Sequence, residues 1–113
     1  MKIRELLNVL KDMLERSKND QDYARSVYAS SLAWIRWINK MADKEGCDRL
    51  NVFTYLHDIH RGFLFCCGLI EHHGNGYTPY DFAHRAFSVI TQSTVLGVGD
   101  LLDRELPFDF REN

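Results

Sequence analysis

The sequence predicts an all-α protein: a compact antiparallel bundle of three to four helices, at about 2–17, 20–44, 51–73 and 79–96, followed by a short acidic and aromatic C-terminal tail. Three observations carry that expectation. Apolar residues recur at three- and four-residue intervals along four separate stretches, the spacing that gathers them on one side of a helix. Cap and stop residues punctuate those stretches at the offsets helix ends require. The stretch 51–73, NVFTYLHDIHRGFLFCCGLIEHH, becomes apolar on every side beyond Gly62, and a helix apolar all round must be enclosed by its own fold or by a second copy.

Size and composition set the frame. A chain of 113 residues fits one domain, spanning 1–113, that buries roughly two-thirds of its unfolded surface. With 45% hydrophobic residues, 27% charged residues and two prolines, disordered, collagen-like and low-complexity classes are excluded. A formal charge of -2 offers neither the basic stripe of a nucleic-acid binder nor the acidic one of a nucleic-acid mimic, so no nucleic-acid partner is expected. Met1 leads straight into a charged amphipathic run, and the three cysteines, Cys47, Cys66 and Cys67, make a poor disulfide framework. A cytoplasmic protein with reduced thiols is therefore expected. The apolar run 62–70 is less than half of what spans a bilayer, so no membrane segment is expected.

Taken in order, the first helix places Ile3, Leu6, Leu7, Leu10, Met13 and Leu14 on one side and Arg4, Lys11, Asp12 and Glu15 on the other. Asn19 or Asp20 then supplies an N-cap for the second helix, whose stripe runs through Ala24, Val27, Ser31, Trp34, Ile35, Ile38 and Met41. Tyr28 and Trp37 flank that stripe, while Ala29, Ser30 and Ala33 permit close approach of a neighbour. Gly46 reads as the stop after Lys40 and Lys44, whose charges suit the negative end of a helix.

In the third helix Val52, Leu56, Ile59, Phe63, Cys67 and Ile70 form the core-facing stripe. GNGYTP is the strongest turn signal in the chain, and it prepares the fourth helix: Thr78 as N-cap, Pro79 at the first helical position, and Asp81 completing a T-x-x-D box. The fourth helix aligns Ala83, Ala86, Phe87, Ile90, Thr94 and Gly97. Its second half, 88–98, is rich in β-branched residues and is compatible with strand as well. The tail beyond residue 100 carries Leu106, Phe108 and Phe110, which either return to the bundle or meet a partner.

Five histidines, His57, His60, His72, His73 and His84, are the main chemical hint. His57 and His60 share a helix face three residues apart and are the candidates for a metal, with Asp58, which points to another face, and Cys47 in the preceding link the nearby further ligands. A histidine-aspartate phosphohydrolase would need an earlier histidine, and none precedes His57, so no metal and no cofactor are assigned. Glu71, His72, His73, Tyr77 and His84 gather around the turn between helices three and four and could line a small polar pocket. Cys66 and Cys67 sit among apolar neighbours that raise a thiol pKa, and Gly97-Val98-Gly99 lacks the strand and lysine of a phosphate loop. The metalloprotease, serine-hydrolase, dithiol and nucleotide-binding strings are absent.

These features point to a small interaction protein, a regulator, adaptor or inhibitor of the size that phages direct against host enzymes, acting on another protein and self-associating as a homodimer. Tyr28, Trp37, Phe65, Leu106, Phe108 and Phe110 are its expected contact residues. The alternative is a histidine-based metal- or ligand-binding protein or hydrolase, using His57 and His60 or the set His72, His73 and His84.

Overall fold

The computed structural model describes residues 1–45, 49–92 and 99–106, with the side chains at 49–51, 99 and 100 left aside. Four helices, α1 (Ile3–Ser17), α2 (Gln21–Lys44), α3 (Arg49–Cys66) and α4 (Pro79–Gln92), are followed by a single turn, α5 (Gly99–Leu102). No strand occurs among the described residues. Each long helix packs on the next, and α1 also meets α3 and α4, which closes the bundle around one core. The radius of gyration is 13.7 Å, close to the roughly 13 Å of a compact chain of this length.

The stripes read from the sequence supply most of the core, although Val27, Trp34 and Met41 of α2 are only half-buried and Ile70 is half-buried beyond the end of α3. All six apolar residues of the α1 stripe are buried, joined by Ala24, Ile35 and Ile38 of α2, Val52, Leu56, Ile59 and Phe63 of α3, and Ala83, Ala86, Phe87 and Ile90 of α4. Buried hydroxyls are satisfied locally: Ser17 Oγ donates to the Met13 carbonyl at 2.7 Å and Ser31 Oγ to the Tyr28 carbonyl at 2.8 Å, so their burial leaves no donor stranded. Asp20 caps α2, its carboxylate accepting from the Tyr23 N–H at 3.0 Å. Thr78 and Asp81 form the expected reciprocal box at the start of α4. The Thr78 N–H donates to Asp81 at 2.8 Å, and the Asp81 N–H donates to Thr78 Oγ1 at 3.3 Å.

Gly62 marks a close contact between α3 and α4. A Cβ there would overlap the Ala83 Cβ and stand 3.3 Å from the Pro79 carbonyl oxygen, so the absence of a side chain lets α3 and α4 touch backbone to backbone.

The third helix is shorter than the sequence suggests: it ends at Cys66, not His73. Gly68 adopts a left-handed φ of 77°; its N–H bonds the Phe65 carbonyl at 3.0 Å, and the Leu69 N–H bonds the Leu64 carbonyl at 2.9 Å. Those two bonds are a Schellman stop, which satisfies the last carbonyls of α3. Gln21 Nε2 and Arg25 Nε of α2 both donate to the Cys67 carbonyl, at 2.9 and 3.2 Å, and so fasten the same end. Enclosure of 62–70 is consequently partial. Phe63, Cys66 and Cys67 are buried and Leu64 and Phe65 half-buried, but Leu69 lies beyond the helix and is 61% exposed.

The start of the chain is clasped by the far end. Residues 104–106 run antiparallel to 1–3: the Ile3 N–H donates to the Arg104 carbonyl at 3.1 Å, and the Leu106 N–H donates to the Met1 carbonyl at 2.7 Å. Leu106 is buried, so this member of the expected contact set is core and not surface. Arg104 adds a two-pronged ion pair to Glu45 at the end of α2, at 2.7 and 3.0 Å. Phe108, Phe110, Gly46, Cys47 and the 93–98 part of the helix-or-strand segment lie outside the described residues.

Candidate functional site

A cleft of about 200 Å³ opens between α2 and α3. Its floor is aliphatic: Leu32 and Ile35 from α2 and Leu56 from α3. Arg36, Asn39, His57 and His60 border it, and Phe53 forms one wall, 53% exposed. The register of α3 builds this side. Residues 53, 57 and 60 are spaced four and three apart, one step round the helix from the core stripe, so burying Val52, Leu56 and Ile59 turns these rings along the edge facing α2.

The rings form a continuous series. Phe53 stacks on His57 at 6.1 Å between centroids and 12° between planes, His57 meets His60 edge-on at 6.5 Å, and His60 stacks on Tyr28 of α2 at 5.9 Å. A 2.9 Å hydrogen bond between the Tyr28 hydroxyl and His60 Nε2 locks the last step. Burial pushes His60 below the ordinary imidazole value, with His57 and Arg36 adding repulsion in the same direction. His60 is thus neutral near pH 7 and acts as a hydrogen-bonding group rather than a charge.

The structure divides the expected polar pocket around the α3–α4 turn. His72 and Tyr77 do share a cleft, of about 110 Å³, with Asp58, Arg61, Pro79 and Phe82. Glu71 and His73 pair with each other at 3.0 Å in full exposure. His84 points away to α1, where its Nε2 lies 3.0 Å from Glu15 and its ring stacks on Tyr80. The antiparallel hairpin brings α3 and α4 together, but the twelve-residue link 67–78 carries Glu71 and His73 outward while the helical phase of α4 faces His84 the other way. Burial raises the Asp58 carboxyl, against the pull of His57 and Arg61. Two hydrogen bonds from Thr78 hold Asp81 below the usual carboxylate range.

No group of three or more His, Cys, Asp or Glu that could hold a metal occurs among the described residues. Cys66 and Cys67 are buried free thiols. Desolvation, then the adjacent Cys67, pushes Cys66 up to about 11, far from a nucleophilic thiolate at neutral pH. No helix among the described residues is long and apolar enough to cross a membrane.

Of the expected contact residues, Tyr28 is on the cleft's ring series, while Trp37 and Phe65 are half-buried elsewhere on the bundle. Phe53 was not singled out from the sequence, although its spacing from His57 and His60 was the available signal. No protein family, curated protein or solved structure matches the chain.

Proposed function

We propose that the chain is a small helical interaction protein, a regulator, adaptor or inhibitor, that binds another protein through the α2–α3 cleft. The carrying observation is the ring series Phe53–His57–His60–Tyr28 beside an aliphatic floor. An aromatic half left in water next to a concave apolar surface has the composition that interface centres favour. Self-association belongs to the same reading, with exposed Tyr77 and Phe82, which stack edge-on away from that cleft, as the groups a second copy would cover. A cytoplasmic setting, supported by the two free thiols, completes it.

Affinity capture from the native host with wild-type and Phe53→Ser baits tests the proposal. The expected result is a protein retained by wild type and lost by the variant at unchanged helicity; identical retention by both baits would refute it. Sedimentation that shows a monomer at every concentration removes the self-association part. A second reading, a small-ligand site, draws on the cleft that His72 and Tyr77 share with Asp58 and Arg61. Loss of that cleft's resonance changes in a small-molecule screen by nuclear magnetic resonance on Tyr77→Ala checks it.

A further inference from the structure

The α2–α3 cleft is chemically one-sided. Among the described residues, every ionisable side chain on its border, Arg36, His57 and His60, is a guanidinium or an imidazole, and no carboxylate lines it. The chain as a whole is acidic, with a formal charge of -2, so the border opposes the sign of the molecule that carries it. Tyr28 and Arg36 from α2 and His57 from α3 are the polar groups that act on His60; with His60 neutral, Arg36 is the fixed charge and the imidazoles add N–H donors. The volume of about 200 Å³ suits one large side chain, since a cavity of about 150 Å³ holds benzene. Phe53 stands at its edge as a ring another ring can cover.

We infer that the cleft takes an acidic peptide segment of the partner protein that carries a large aromatic or aliphatic side chain, the side chain filling the cleft beside Phe53 and a neighbouring carboxylate meeting Arg36. This rests on the protein-binding reading and narrows it to the chemistry of the partner. The apolar anchor supplies most of the affinity, and the carboxylate selects orientation and rejects basic segments.

The test uses the full chain, labelled for amide resonances, and a capped fluorescent peptide alternating aspartate and phenylalanine. Two controls replace its aspartates with lysine or its phenylalanines with serine. The expected result is binding of the first peptide, weakened by salt, with shifts confined to residues around Leu32, Arg36 and Phe53. Both controls, and the variants Arg36→Glu and Phe53→Ser, should bind roughly fivefold or more weakly. Equal binding of the lysine peptide, shifts on another face, or no binding overturns the inference. If the acidic peptide fails while Phe53→Ser still loses its captured protein, the partner chemistry falls and the protein-binding reading stands. If capture ignores Phe53→Ser, that reading falls by itself.

Discussion

Replacing Gly62 with alanine adds one methyl group at a point where α3 and α4 leave no room for it. The new Cβ would overlap the Ala83 Cβ, and the Pro79 carbonyl oxygen at 3.3 Å and Leu14 Cδ1 at 3.4 Å close off the alternatives. Two of those three neighbours, a Cβ and a backbone carbonyl, have no rotamer to move into, so the helices themselves must separate. Alanine gains about 1 kcal/mol over glycine as a helix former, whereas forcing an extra methyl into a packed core costs about 1–3 kcal/mol. With rigid neighbours the cost falls at the upper end, which leaves a net loss of about 1–2 kcal/mol. For a domain of this length the unfolding entropy is about 0.24 kcal/mol per kelvin, so Tm should fall by about 4–8 °C in far-ultraviolet circular dichroism. The double variant Gly62→Ala/Ala83→Gly removes the colliding methyl. Its loss should be smaller than the sum of the two single losses by about 1 kcal/mol or more. A Gly62→Ala protein as stable as wild type, or two losses that simply add, would refute the packing argument.

Three other outcomes are expected. Gly68→Ala places a side chain at a φ of 77° and onto the Gln21 amide that caps Cys67; it should cost about 1–2 kcal/mol in chemical denaturation, whereas Gly74→Ala, whose Cβ would meet only His72 Nε2 at an ordinary 3.8 Å, should be near neutral. His60 has a folded pKa below the unfolded value of 6.5, so below that pH the unfolded chain binds more protons and stability falls with acidification. A His60→Gln protein should therefore lose less Tm than wild type between about pH 7.5 and pH 5, and an equal loss would contradict this. With Cys66 pushed up to about 11 and buried, a disulfide reagent at neutral pH should leave its thiol unmodified until denaturant is added, as counted by absorbance.

What the sequence could reveal was what short-range chemistry decides. The α1 stripe, the Asp20 cap and the Thr78–Asp81 box each involve residues within one or two turns, and each stands as expected. The end of α3 was legible in principle, because Gly68 followed by Leu69 is a Schellman signature, but it lay inside an apolar run whose periodicity spoke for continuation. Leu106 could not be placed, since its burial depends on pairing with Met1 across the length of the chain. The cleft fell between these cases. His57 and His60 could be put on one face, but Tyr28 joins them only through the packing register of α2 on α3, and Phe53 gains meaning only once the cleft exists.

The clasp of residues 1–3 by residues 104–106 also sets a timetable. During synthesis α1 leaves the ribosome early, yet the Glu105 carboxylate that holds the Met1 amine is made 104 positions later. At cellular elongation rates that is a wait of about 5–20 s. Through that interval residues 1–3 lack their backbone partners, so the nascent chain is open there to chaperones and proteases until residues 104–106 arrive to shut the seam.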